Sequence, residues 1–267
     1  MKKSVILTML AAMAVSPVFA QKALVKVEYL ENYRNWTDAN VTNDFLLLAG
    51  IEESRYFNPM TQTVDSMLST PQGTVQYNSM VEAANAAGQR PSLLPKSRTY
   101  IIKYPQKQDM RCFEEAAGEL GNYSEPFSEQ SWQIISDSTT TFLGYECVLA
   151  EADYHGRHWK AWFAPEIPLS DGPWKLCGLP GMILKATADN GAYNFTAKGL
   201  ENVNMPLPKN VYGHDMSEKT DRKKMRQLEW SFYNNSAAQF QAQYGIQMQD
   251  SPLPAGFDLI ETDYKTK

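Results

Sequence analysis

Three histidines and three cysteines, with a scatter of carboxylates, are the side chains here that could carry proton transfer, metal binding or nucleophilic attack. Two of the histidines lie three apart in His155-Gly156-Arg157-His158, with Cys147, Glu151 and Asp153 close by in the chain. Imidazoles beside carboxylates are raw material for a zinc site. The helical H-E-x-x-H arrangement, however, sets both rings on one side with a glutamate as base, and Gly156 marks a hairpin turn instead. Both rings are therefore read as structural or solvated, His214 is placed in a polar loop, and no metal is assigned. Nucleophilic catalysis needs a Ser or Cys beside a base, but the chain lacks a G-x-S-x-G elbow, and Cys177-Gly178 is no cysteine-protease signature. Gly172, Gly178 and Gly181 sit among prolines with no Lys-Ser or Lys-Thr after them, so no phosphate loop is present. Adjacent acids such as Glu52-Glu53 and Glu114-Glu115 would point to opposite faces of a strand, and are read as surface charges. No catalytic residue and no cofactor are assigned.

The elements that must position these residues are mostly strands. Alternation over Ala23 to Leu30, and runs at 44–49, 52–57 and 99–104, predict antiparallel strands. Tyr77, Met80, Val81 and Ala84 recur at i, i+3, i+4 and i+7, which predicts a helix between Gly73 and Gly88 packed on the sheet. From Asp109 the pattern becomes a meander, with runs at 109–116, 131–137, 141–153, 157–164, 182–188 and 192–199. Asn190-Gly191 predicts a tight hairpin, because a type I′ turn needs positive φ at both central residues. Over 218–244, Met225, Leu228, Phe232 and Phe240 share one side, which predicts one long or two shorter helices, with Ser217 as cap and Asn234-Asn235 as the break. Three cysteines allow at most one internal bridge. Spacing does not choose among the pairings, and Cys147, between Tyr145 and Leu149, reads as a buried thiol. The fold class is β-rich α+β: a curved antiparallel sheet, a meander or unclosed barrel, with packed helices, in a single domain over 21–267.

If the turn after the strand at 141–153 spans Asp153 to Arg157, Ala152 pairs with His158, and both faces of that hairpin carry large apolar groups. Something must cover the second face. A packed helix and an apolar ligand are the two candidates. Trp159, Trp162 and Trp174 are the aromatic residues that could form a concave binding surface rather than plain core. With Leu179 they make up the expected binding set.

Between the strands at 157–164 and 182–188 lies a run punctuated by Gly172-Pro173 and Gly178-Leu179-Pro180-Gly181. Pro180 and Gly181 suit the second and third positions of a type II turn, whose third residue needs positive φ. This run, together with Trp132-Gln133-Ile134-Ile135, Gly144-Tyr145-Glu146-Cys147, Gly156-Arg157 and Ala161-Trp162-Phe163-Ala164-Pro165-Glu166-Ile167-Pro168, resembles the GLPGLI family of exported Bacteroidota proteins. That family is defined by sequence and not by an established activity, so the resemblance implies an exported protein and no chemistry. Gly172, Pro173, Gly178, Pro180 and Gly181 are its structural motif, and Met182 stands where the eponymous peptide has Leu.

Lys2-Lys3, the apolar run from Val5 to Val15 and the small residue Ala20 have the three regions of a secretory signal peptide, residues 1–20. The mature chain then begins at Gln21, without a transmembrane segment, and is periplasmic or secreted. Loss of the two lysines takes the net charge from −5 to −7, with 23 basic against 30 acidic residues. That balance excludes nucleic acid as a partner, and the basic run 219–226 reads as a solvated helix face. The favoured function is a non-enzymatic envelope protein that binds an apolar ligand or an exported protein segment. The alternatives are a secreted hydrolase of peptide or glycan and a structural partner in envelope assembly.

Overall fold

The computed structural model describes residues 22–189, 191–208, 217–245, 247 and 252–265; residues 1–20 and His214 lie outside this set. The fold is α+β, β-rich, and built on one unclosed, curved twelve-stranded sheet. The strands are β1 (Lys22–Arg34), β2 (Asn40–Ala49), β3 (Ser54–Phe57), β4 (Tyr100–Tyr104), β5 (Asp109–Ala116), β6 (Glu119–Pro126), β7 (Gln133–Phe142), β8 (Tyr145–Tyr154), β9 (Arg157–Ala164), β10 (Met182–Ala188), β11 (Tyr193–Pro206) and β12 (Glu218–Lys219). Their order is β12-β6-β5-β4-β3-β2-β1-β11-β10-β9-β8-β7, so β6 and β7, consecutive in the chain, lie toward opposite ends. All ladders are antiparallel except the short β12–β6 pair. Among the described residues no helix is long and apolar enough to cross a membrane.

Turn chemistry sets much of the register. Three hairpins, at Ala117-Gly118, Leu143-Gly144 and His155-Gly156, close over two residues with positive φ at both, 53° and 82°, 52° and 86°, 52° and 82°. This is the geometry whose twist matches paired strands. The His155-Gly156 turn pairs Ala152 with Trp159 rather than with His158. That one-residue difference from the expected register exchanges every cross-strand partner, because side chains alternate with a period of two. The predicted tight hairpin behaves differently: β10 and β11 are joined through residues 189–192, between paired Ala188 and Tyr193, and Asn190 itself lies outside the described residues. β6 was not foreseen, since its sequence is polar and ends in proline; Ala117-Gly118 was the available signal.

The main core lies on the sheet's inner face, where Val27, Tyr29, Leu47, Tyr56, Ile101, Cys112, Trp159, Phe163 and Phe195 are all buried. The chain itself fills most of the hollow. Residues 165–181, between β9 and β10, fold into the hollow as a plug and bury Ile167, Trp174, Leu176, Cys177 and Leu179 in the same cluster. Lys103, fully buried on β4, fastens the plug by donating to Asp171 Oδ1 and Gly172 O, each at 2.7 Å. Trp132 Nε1 donates to Cys177 O at 2.8 Å. A smaller cluster on the outer face joins Leu48, Phe57, Tyr100, Ile102 and Phe113.

Four helices accompany the sheet: α1 (Pro59–Leu68), α2 (Pro71–Ala86), α3 (Arg222–Asn234) and α4 (Ser236–Tyr244). Asn58, followed by proline at the first helical position, caps α1 by accepting from Thr61 N. The predicted stripe of Tyr77, Met80, Val81 and Ala84 is half-buried on α2, and α2 leans chiefly on α1 rather than on the sheet; it buries no residue fully. The C-terminal helices do break at Asn235, but the cap of α3 is Asp221, which accepts from Lys224 N. Ser217 instead accepts from the Asn122 side chain, just before β12. Cys112, Cys147 and Cys177 are buried free thiols, and burial pushes Cys147 up to about 11 and Cys177 up to about 12.

Candidate functional site

Two polar regions lie against the inner face, one sealed and one open. The sealed region gathers Glu125 of β6, Lys175 of the plug, Arg222 of α3, His155 of the β8–β9 turn, and Glu261 and Asp263 of the C-terminal segment. Lys175 Nζ is 2.6 Å from Glu125 Oε2, bonds Glu261 Oε1, and donates to Tyr123 OH at 2.9 Å. Arg222 pairs with Glu125 and Glu261, each at 2.9 Å, and grips Asp263 with two nitrogens at 2.5 and 2.6 Å. Next to it Arg226 pairs with Glu114 at 2.5 Å, and Tyr123 donates to the same carboxylate at 2.7 Å. Burial by itself would raise the pKa of Glu261, but Lys175 and Arg226, with His155 and Arg222, outweigh it and hold Glu261 at about 2. Glu125 is lowered as well, with Lys175 again outweighing burial.

Glu125, His155 and Glu261 bring ligand atoms within 4.8 Å of one another, the spacing of a cation site. The Lys175 ammonium already bonds both carboxylates. His155 Nε2 stands 3.1 Å from Glu125 Oε1 but out of line for a good hydrogen bond. The donor set is thus spent on fixed cations, and the cluster works as a clasp that ties the C-terminal segment and α3 to the sheet. Here the reading of 219–226 as a solvated face is corrected: Arg226 is buried and Arg222 half-buried, both in ion pairs, while Lys223 and Lys224 are exposed. Glu114 is buried and Glu115 exposed, as alternation requires, but Glu114 is no surface charge. The available signal was the stripe Arg222, Met225, Arg226 and Glu229 at helical spacing, in which charges stand where apolar residues are expected.

The open region is a cleft of about 590 Å³ between the inner face, the 95–99 loop, α3 and residues 257–260. Its walls are aromatic. Tyr33 stacks on Tyr193 at 5.2 Å, Phe45 on Tyr56 at 4.6 Å, and Trp36 lies 6.2 Å from Tyr233. Trp174 of the plug contributes to the lining; it is the plug's positive-φ non-glycine residue, at 51°, a conformation that costs free energy and is held by surrounding packing. Charges of both signs face the cleft: Glu31, Glu114 and Glu229, with Lys96, Arg98 and Arg226.

Glu31 differs from every other inner-face carboxylate. It sits on central strand β1 between Asn43 of β2 and Phe195 of β11, and continues the inward alternation of Val25, Val27 and Tyr29. The Asn43 side-chain amide donates to Oε2 at 3.0 Å, and among the described residues no lysine or arginine pairs with Glu31. Burial pushes Glu31 up to about 7, against the smaller lowering effect of Asn43. Glu229 is also raised by burial, in spite of Arg226 2.8 Å away. The strand continues past Leu30, and an acid one step further, on its apolar face, is the sequence signal for Glu31.

Of the expected binding residues, the structure brings Trp159, Trp174 and Leu179 together in the buried core, with Trp159 5.6 Å from Trp174 and stacked 6.0 Å from Phe195. Trp174 alone of the three lines the cleft. Trp162, three residues from Trp159 on a strand, points to the other face and lies half-buried against Phe142 at 6.4 Å. In the plug, Gly178 carries the positive φ, 91°, whereas Gly181 is not left-handed, and Gly181 N donates to Leu179 O at 2.8 Å. The expected type II turn is therefore not formed. Gly181 is needed because a Cβ there would collide with the Ala164 carbonyl, and Gly172 because a Cβ would press on Ile183 at 2.8 Å. Pro173 and Pro180 flank these close approaches.

A family model described as a protein of unknown function, Porph_ging, matches residues 151–185, which run from the end of β8 through β9 and the plug into β10. No curated protein matches the chain. Among solved structures, the chain is similar to PNGF-II in space group C2, with 13% identity and a TM-score of 0.53, over 79% of this chain and 33% of that one. The P21 form of PNGF-II gives 13% identity, the same coverage and a TM-score of 0.49. A LolA-superfamily protein, NE2245 from Nitrosomonas europaea, gives 8% identity and a TM-score of 0.27 over 70% of this chain and 89% of that one. The chain spans about a third of the length of PNGF-II, and at this identity the likeness is one of fold alone.

Proposed function

We propose that this is an exported, non-enzymatic binding protein of the cell envelope, whose recognition site is the aromatic cleft and whose ligand is a segment of another exported polypeptide. One observation carries the reading: the apolar part of the inner face is filled by the chain's own plug, and the hollow beside it is lined by rings and by charges of both signs. An apolar cargo would need the volume that Trp174, Leu176 and Leu179 occupy. Tyrosine, tryptophan and arginine are the side chains that dominate protein recognition, and mixed charges with amides suit a peptide backbone. Among the described residues, the cleft lining contains neither histidine nor cysteine. Trp174 serves as part of the site, with Trp159 and Leu179 behind it as support. Export rests on residues 1–20, with Gln21 as the mature start.

The test is native mass spectrometry of the mature protein purified from its own envelope, alongside Trp36→Ala, with a photo-crosslinking residue at position 233 to place the ligand. A retained polypeptide, crosslinked at 233 and lost in Trp36→Ala at unchanged Tm, is expected. A retained lipid insensitive to Trp36→Ala overturns the reading.

A second reading has its own observation. Glu31, raised to about 7, shares an aromatic cleft with Glu114 and Glu229, and a raised carboxylic acid near an ionised carboxylate is the equipment of glycoside hydrolysis. Against it, Glu114 is tied to Arg226 and Tyr123. Release of sugar from glycopeptides by the wild type, abolished in Glu31→Gln, decides for this alternative.

A further inference from the structure

We infer that Glu31 forms a cation subsite within the cleft: the bound segment presents a lysine or arginine side chain to this carboxylate, beside the ring of Tyr33. The inference rests on the cleft being a site for polypeptide segments, and it names the side chain that the site selects.

The argument is one of charge matching over a single surface. Buried carboxylates are costly unless a cation and hydrogen bonds compensate them. On this face the chain supplies that compensation repeatedly: Lys103 for Asp171, Lys175 and Arg222 for Glu125 and Glu261, Arg226 for Glu114. Glu31, on the most central strand, has an amide partner and no cation among the described residues. The place where the pattern lapses is also where the face opens into a cleft. Asn43 orients the carboxylate by donating to Oε2. Tyr33, two residues further along β1 and so on the same face, lines the cleft with Glu31, and it is half-buried. Faces of aromatic rings attract ammonium and guanidinium groups, so rings and carboxylate favour the same class of side chain. Burial, which pushes Glu31 up to about 7, reports the same unmet charge.

Binding of the full mature chain is measured by fluorescence anisotropy to four pools of capped pentapeptides with randomised flanks, whose central residue is lysine, arginine, norleucine or citrulline. The lysine and arginine pools are expected to bind about tenfold tighter, or more, than their uncharged counterparts. Glu31→Gln is expected to bring the lysine and arginine pools down to the level of their uncharged counterparts, and far-UV circular dichroism checks that the variant folds. Equal binding of the four pools by the wild type overturns the cation subsite and leaves segment recognition standing. Failure of every pool overturns segment recognition, and the subsite with it. A lysine preference that survives Glu31→Gln shows that another group makes the selection, and also overturns the inference.

Discussion

Glu261 and Glu31 are carboxylates packed against the inner face of the same sheet, yet one is held at about 2 and the other pushed up to about 7. Burial acts on both in the same direction. The difference is the company each keeps: Lys175 and Arg222 contact Glu261, whereas among the described residues Glu31 has the Asn43 amide and no cation. A desolvated charge that is matched becomes a fastening, and one left unmatched beside solvent-accessible space becomes a demand that a ligand can meet. The clasp therefore fastens the fold, and the cleft is where the proposed recognition would take place.

The comparison breaks most severely at Lys175. Lys175→Met strands Glu125 and Glu261 without their shared ammonium, and is expected to destabilise the fold by about 3–5 kcal/mol at pH 7, measured by urea unfolding. A loss below 1 kcal/mol would mean that the clasp holds little. Second in size is the effect of pH, where the two carboxylates have opposite signs. Glu261 is depressed, so its contribution is present above pH 4.5 and is lost as pH falls toward 2. Glu31 is raised, so its contribution is full below pH 4.5 and disappears as pH rises through about 7. Glu31→Gln should accordingly be more stable than the wild type at pH 8 by about 2 kcal/mol and indistinguishable from it near pH 4.5, a contrast that denaturant melts at the two pH values would show. Equal stability at both would mean that Glu31 is solvated.

Smaller again is Gly181→Ala, expected to cost about 1–2 kcal/mol through overpacking against the Ala164 carbonyl, with Pro180→Ala costing less. Because the cause is close approach and not backbone conformation, Gly178→Ala, at φ 91° and facing Ser128, should be affected at least as much. Thermal melts rank the three variants. The smallest effect is expected from chelation: since Lys175 occupies the carboxylates of the Glu125-His155-Glu261 group, excess EDTA should leave Tm unchanged within about 1 °C. A drop of several degrees with stoichiometric metal in the untreated protein would turn the clasp into a metal centre.

Much of the sheet was legible because alternation is local. The period of two over Ala23 to Leu30 and the glycines of the two-residue turns need only near neighbours in the chain, and most strands, the α2 stripe and the break at Asn235 follow from such patterns. Register at His155-Gly156 was less legible, since a histidine at positive φ is not a strong turn signal and a one-residue choice reverses the faces. Trp159, Trp162 and Trp174 could be singled out by type but not sorted into core, outer face and cleft wall.

What the sequence by itself determined is thus a β-rich chain of alternating strands with tight turns, a Gly-Pro signature between β9 and β10, and charges unsuited to nucleic acid. Tertiary structure alone decided that the signature is an internal plug, that Arg222 and Arg226 turn inward into ion pairs, and that among the described residues Glu31 lacks the cation its neighbours have. The reason is range: strand periodicity and turn conformation are set by residues a few positions apart. The pairing of Lys175 with Glu261, 86 residues away, or its absence at Glu31, depends on where a closed chain happens to bring its charges.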